Sequence, residues 1–193
     1  MKKKQKIILA SESQQRIKLL KKLDIANFEC QKHLVDERKF DFKSSITKSI
    51  LELVQMKAES VRNRLKNCNN IIISGDTVVY RAGKIFHKTN SKDEIRQYLK
   101  LLSGRKHRVF GGLCVVFSNG KIIRRLVKTD VYFNNISQDE ITDSILEDGI
   151  GKSGGYAIQN FGSRFVKKIR GCYTNVVGIS IPELYKILKS PEF

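Results

Sequence analysis

Asp76 is the residue around which chemistry is most readily built. It follows Ile71-Ile72-Ile73-Ser74-Gly75 and precedes Thr77-Val78-Val79. Three β-branched residues in succession read as a buried strand. Ser74-Gly75 reads as a place where the backbone turns sharply. A carboxylate beside a hydroxyl at the C-terminal end of such a strand is where α/β proteins place ligands; the alternative is a strand that ends in a polar turn. A second candidate is Ser11-Glu12-Ser13-Gln14-Gln15-Arg16. A serine loop that opens a helix presents free N–H groups to an anion, and Arg16 in the first turn could clamp a phosphate. The same residues also suit a plain serine cap with a surface arginine. Asp36-Glu37 offers two oxygen donors for a divalent ion, or a solvated turn. Lys57 lies at the edge of an apolar helical stripe, where its ammonium either reaches inward or snorkels to solvent. Tyr156 and Gln159 offer a ring, a hydroxyl and an amide, which suit base or sugar recognition as well as a structural turn.

These groups need elements to position them. Lys6 to Ala10 reads as a first strand, and a helix follows to about Leu23 with Ile17, Leu20 and Leu23 on its apolar face. Phe28 to Gln31 is a short strand. Ser44 to Leu65 is a long helix with Ile46, Ile50, Val54, Ala58, Val61 and Leu65 as its stripe, and Lys66 to Asn70 is a polar turn into the Ile71 strand. Val78–Tyr80 and Lys84–Phe86 flank Gly83 as a hairpin. Ser91-Lys92-Asp93-Glu94 is a capping box for a helix that buries Ile95, Tyr98, Leu99 and Leu102 and stops at Ser103-Gly104. Arg108–Phe117 and Lys121–Asn134 are long strands joined through Asn119-Gly120. Ser137-Gln138-Asp139-Glu140 is a second capping box, for a helix ending near Gly149. Arg164 to Ile169 is a strand, and Pro182 to Leu188 a final helix. The Gly151-Lys152-Ser153 triplet lacks the preceding strand and the glycine register of a P-loop. Alternating strands and helices with inserted hairpins predict a mixed, twisted α/β sheet flanked by helices.

A chain of 193 residues with 40% hydrophobic content and only 2 prolines fits one domain, or two small lobes sharing a core. No apolar run reaches the roughly 18 residues that cross a bilayer, so no membrane association is expected. The basic start, Met1 to Lys6, is followed by only Ile7 to Ala10 before polarity returns, too short for a signal-peptide core. Cys30, Cys68, Cys114 and Cys172 are dispersed, which reads as reduced thiols of a cytoplasmic protein. Lys and Arg number 37 against 19 acidic residues, a net charge of +18. That excess favours polyanions, whether nucleic acid, nucleotides or acidic membranes, but without a recognised nucleic-acid motif nucleic acid is not expected as the primary partner.

Taken in order, a set of short pieces resembles the Maf family of nucleoside triphosphate pyrophosphatases. They begin with Leu9-Ala10-Ser11-x-Ser13 and Arg16, then Val35-Asp36-Glu37, Lys57-Ala58 and Gly75-Asp76-Thr77-Val78-Val79. Gly83 with His87-Lys88, Leu102-Ser103-Gly104-Arg105 with His107, and Thr129-x-Val131-x-Phe133 follow. Lys152-x-Gly154-x-Tyr156-x-Ile158-Gln159 and Gly171-x-Tyr173-x-Asn175-Val176-Val177-Gly178 close the series. The resemblance spans Ile7 to about Leu188. It implies a single domain over 1–193 with two lobes around a deep cleft, and commonly a homodimer. It implies hydrolysis of a nucleoside triphosphate to monophosphate and pyrophosphate with Mg²⁺ or Mn²⁺, and an association with arrest of cell division. Asp76-Thr77 and Gly155-Tyr156-x-Ile158-Gln159 look like the branch acting on dTTP and UTP. On that basis Asp76 is expected as the base or water activator, and Glu37 with Asp76 as metal ligands. Ser11, Ser13, Arg16, Lys57 and Lys88 are expected on the triphosphate, and Thr77, Tyr156 and Gln159 on the base or sugar. Gln14-Gln15 replaces the family's Pro-Arg, and Thr89 its Pro, so activity is expected to be weaker or shifted. The rival expectation is a catalytically weak nucleotide-binding protein or a nucleic-acid-associated regulator of division.

Overall fold

The computed structural model describes residues 5–23, 25, 27–37, 40, 42, 45–65 and 69–190. Met1 to Lys4, the expected helix start at Ser44, the turn residues Lys66 and Asn67, and Cys68 lie outside them. Within the described residues seven strands form one sheet: β1 (Lys6–Leu9), β2 (Phe28–Cys30), β3 (Asn70–Arg81), β4 (Lys84–Phe86), β5 (Lys106–Val116), β6 (Ile122–Phe133) and β7 (Val166–Arg170). The order is β2-β1-β3-β5-β6-β7, with β4 also paired to β3. β1 runs parallel to β2 and β3, while β3–β4 and β6–β7 are antiparallel. The helices are α1 (Gln14–Lys21), α2 (Ile46–Arg62), α3 (Lys92–Leu102), α4 (Asp143–Gly149), α5 (Tyr173–Val177) and α6 (Ile181–Leu188). The expected mixed α/β sheet with flanking helices is present. No described helix is long and apolar enough to cross a membrane.

The chain divides into two compact units. One comprises Met1–Asp76, Gly111–Val127 and Gly178–Phe193, the other Thr77–Phe110 and Lys128–Val177. The boundary falls inside β3, between Asp76 and Thr77. In the first unit, α2 lays Val54, Ala58 and Val61 against Ile8, Ile72, Cys114 and Val116. Its start is fixed by the Ser45 hydroxyl, which accepts from the Lys48 N–H. Burial pushes the Cys114 thiol up to about 12, and Cys30, Cys114 and Cys172 are free thiols. In the second unit, α3 buries Ile95, Tyr98, Leu99 and Leu102 as its spacing predicted, and the Ser91 hydroxyl accepts from the Glu94 N–H. Val79, Phe86, Val131, Phe133, Tyr156 and Phe165 share that core.

Several expectations are corrected. Ser74-Gly75 is not a turn: β3 runs straight through it to Arg81. The glycine answers close packing, since a Cβ there would lie 2.9 Å from Ile179 Cγ1 and 3.4 Å from the Gly112 carbonyl oxygen. α1 buries Arg16, Leu19 and Leu20, with Ile17 and Leu23 only half-buried. The Ser137–Glu140 box closes on one side only, Glu140 Oε2 accepting from the Ser137 N–H at 2.7 Å. The helix itself begins later, after Thr142. Arg164 belongs to a short 3-10 helix (Phe161–Phe165) that precedes β7. α5 was not anticipated. The Asn119-Gly120 hairpin uses a loop of Ser118, Asn119 and Gly120, with only Gly120 left-handed at φ 90, a type I turn closed by a left-handed glycine.

Candidate functional site

The first unit gathers five of the expected residues around one carboxylate. Asp76 sits on β3 and is 4% exposed. Alternation along the strand puts Ile72, Ser74 and Asp76 on the α2 side, where the Ser74 hydroxyl donates to the Val54 carbonyl. α2 then delivers Lys57, whose side chain is 0% exposed. Its ammonium lies 3.0 Å from Asp76 Oδ1 and 2.7 Å from Glu37 Oε1. Of the two outcomes left open for Lys57, the inward one holds. Arg16 completes the group, with Nη2 3.4 Å from Asp76 Oδ1, Nη1 donating to the Ser11 hydroxyl at 3.3 Å and Nε donating to the Gly178 carbonyl at 3.2 Å. Every guanidinium nitrogen is therefore engaged within the fold, and Arg16 is 7% exposed. Ser11 also accepts from the Ser13 N–H at 3.2 Å, while the Ser13 hydroxyl turns to Gln15 Oε1 at 3.2 Å.

Glu37 extends the cluster outward. Its side chain is 31% exposed, and His33 Nε2 lies 3.3 Å from Oε1. His33 escaped the sequence reading because it belongs to no periodic element. Among the described residues no group of three or more His, Cys, Asp and Glu is placed to hold a metal ion. The donor chemistry nevertheless suits a hard cation. Glu37 Oε1 and Asp76 Oδ1 converge on the Lys57 ammonium, and ions such as Mg²⁺ take one or two carboxylates and complete their shell with water and phosphate.

The second unit holds the remaining candidates. Thr77 is half-buried and Lys88 exposed. Tyr156 is 6% exposed, and its hydroxyl pairs with His107 Nε2 at 2.7 Å. Both rings pack edge-on with Phe133, at centroid distances of 4.8 Å and 4.9 Å. Burial pushes the Tyr156 hydroxyl up. It also lowers His107 to about 4, helped by the nearby positive charge of Arg81. His107 is thus a neutral imidazole at neutral pH, and its Nδ1 is buried without a hydrogen-bond partner among the described residues. Gln159 is half-buried in the turn that follows. Ser153, which carried no role in the sequence reading, donates its hydroxyl to the Thr77 carbonyl at 2.9 Å.

Comparison with known proteins places these residues in context. A family model described as Maf-like protein matches residues 6–191. A protein of Clostridium perfringens (strain SM101 / Type A) named dTTP/UTP pyrophosphatase is 35% identical over 96% of this chain and 96% of its own length. Proteins of the same name from Clostridium tetani (strain Massachusetts / E88) and Clostridium botulinum (strain Eklund 17B / Type B) are each 38% identical. They cover 94% and 95% of this chain, and 95% and 98% of their own lengths. Among solved structures, the Staphylococcus aureus Ham1 protein overlaps 66% of this chain and 71% of its own at 12% identity and a TM-score of 0.44, too distant to add to the argument. The family model spans almost the entire chain, and on that ground the chain belongs to the Maf-like protein family.

Proposed function

We propose that this protein is a nucleoside triphosphate pyrophosphatase that hydrolyses dTTP or UTP to the monophosphate and pyrophosphate. The names of its relatives support the substrate. The observation that carries the chemistry is the buried Asp76 carboxylate, fixed by the Lys57 ammonium at 3.0 Å and the Arg16 guanidinium at 3.4 Å. Attack of water on a phosphoryl group needs an oriented acceptor for the water proton, and a carboxylate clamped by two cations cannot swing away from its position. Asp76 takes that role. Lys57 and Arg16 orient it, and Ser11 and Ser13 shape the loop before α1. A divalent cation, Mg²⁺ or Mn²⁺, would be held by Glu37 and Asp76 and would supply charge neutralisation to phosphoryl oxygens. Lys88 is assigned to the phosphate chain, and Thr77 and Gln159 to the base. Tyr156 acts through the loop that carries Gln159. The proposal includes a homodimer working in the cytoplasm and a link to septum formation.

A pyrophosphate-release screen against canonical and modified triphosphates, with Mg²⁺ or Mn²⁺, tests the reading. Release from dTTP or UTP that disappears in Asp76→Asn, with the circular dichroism spectrum unchanged, is the expected result. Near-normal turnover in that variant removes Asp76 from the chemistry. A folded wild type that binds nucleotide and releases nothing makes the protein a binding module.

A further inference from the structure

Pairing along the segment after β4 continues beyond the strand, with an irregular loop as its partner. β4 ends at Phe86, yet the Gly154 N–H donates to the Phe86 carbonyl at 3.1 Å, and the Gly151 N–H donates to the Thr89 carbonyl at 2.9 Å. Between them Lys88 and Ser153 form an antiparallel bridge. Ser153 then reaches across with its side chain, the hydroxyl donating to the Thr77 carbonyl on β3 at 2.9 Å. One residue therefore holds the backbone of both Thr77 and Lys88.

The surroundings fix that node. Gly154 and Gly155 take left-handed conformations, φ 78 and φ 70, which glycine adopts without steric cost. Any Cβ at Gly155 would meet Ile95 Cγ2 at 3.0 Å. On the other side, the Thr89 hydroxyl accepts from the Ser91 N–H at 3.1 Å and hydrogen-bonds Glu94. That anchors Lys88 from its C-terminal neighbour. The Lys88 side chain is exposed, and the bridge to Ser153 holds its backbone. A displacement of about 1 Å in a substrate-positioning group is enough to lower turnover many-fold.

We infer that Ser153 is a positioning residue for nucleotide recognition: its hydroxyl and backbone keep Thr77 and Lys88 in fixed register. The inference rests on the proposed pyrophosphatase reading, which assigns those two residues to the substrate. Ser153→Ala keeps the backbone bridge and removes the hydroxyl; Ser153→Thr keeps both. The test measures kcat and KM for dTTP, the Kd for its non-hydrolysable α,β-methylene analogue, and the thermal midpoint for all three proteins. Ser153→Ala is expected to raise KM and Kd by about fivefold, the loss of one hydrogen bond. Its kcat should stay within about twofold and its midpoint within about 3 °C, and Ser153→Thr should restore the affinity. An unchanged Kd in Ser153→Ala overturns the inference, as does a fall in kcat that tracks a large loss of thermal stability. If the wild type binds the analogue without releasing pyrophosphate from dTTP, the enzymatic reading fails while the Kd comparison still decides the role of Ser153. If the wild type does not bind the analogue, both fall.

Discussion

Replacing Lys57 by methionine removes a charge from a side chain with no exposed surface while leaving its length and volume nearly intact. No cavity opens, so the cost is electrostatic. Asp76, 5% exposed at its side chain, loses a cation at 3.0 Å and keeps the Arg16 contact at 3.4 Å; Glu37, 31% exposed, loses one at 2.7 Å. Removing one partner of a buried pair costs about 3–5 kcal/mol, because the charge left behind is desolvated. Water reaches Glu37 and Arg16 still serves Asp76, which puts Lys57→Met at the lower end, about 3 kcal/mol. Asp76→Asn in the same background restores the charge balance, one cation (Arg16) against one carboxylate (Glu37), and the double variant should regain about 1–2 kcal/mol relative to the sum of the single losses. Equilibrium unfolding in urea at neutral pH reads this directly, provided the slopes agree. A Lys57→Met variant within about 0.5 kcal/mol of wild type, or single losses that simply add, would refute the argument that the three side chains form one coupled buried group.

Two further outcomes follow from the second unit. His107 takes a proton at 6.5 in the unfolded chain and at about 4 in the folded one, so its contribution to stability is complete above pH 6.5 and drains as pH falls towards 4. Between about pH 7.5 and about pH 4.5 wild type should lose roughly 2 kcal/mol more than His107→Gln, and parallel stability curves for the two would show that His107 is not buried neutral. Lys88→Ala, at an exposed position, should leave the thermal midpoint unchanged and lower kcat/KM for dTTP by roughly 30-fold, the worth of a charge-assisted hydrogen bond. An unchanged kcat/KM takes Lys88 out of triphosphate handling.

The parts of this fold legible in sequence are those whose determinants are local. α3 is complete in its own residues: a serine cap, an acidic first turn, and apolar positions at spacings of three and four. The Ile71–Ile73 strand and the β3–β4 hairpin are similarly self-declaring. Gly75 failed because the reason for the glycine lies elsewhere in the chain, in the Ile179 side chain and the Gly178 and Gly112 carbonyls, and a sequence shows no such contact. The Ser137 box shows a second kind of failure. The capping hydrogen bond forms, but a cap satisfies only a turn, and the helix it should open starts where Ile145 and Leu146 can bury. At the site, Asp76 was legible as a carboxylate on a strand and Lys57 as a cation at the edge of a stripe. That they share a site came only from the family resemblance: Glu37 arrives from an irregular segment, and no period links it to Lys57 or Asp76. Ser153 was invisible for the same reason: its partners are backbone groups.

The charge count of the first unit's centre constrains what else the reaction needs. Lys57 and Arg16 bring two positive charges, Glu37 and Asp76 two negative ones, and these four side chains cancel before any substrate arrives. Arg16 also directs its remaining nitrogens to the Ser11 hydroxyl and the Gly178 carbonyl. The cluster is therefore built to hold Asp76 still, and it has no net charge to set against a triphosphate. A phosphoryl-transfer site must neutralise several negative charges in its transition state. On the proposed reading the missing positive charge has to come from outside the four, and a divalent cation would supply it. Lys57→Met should lower kcat by loosening Asp76 and, since the ammonium sits on Glu37 Oε1 and Asp76 Oδ1, should also lower the Mg²⁺ concentration at half-maximal rate. A Mg²⁺ midpoint unchanged in Lys57→Met would mean that the cation is not held by the Glu37 and Asp76 oxygens.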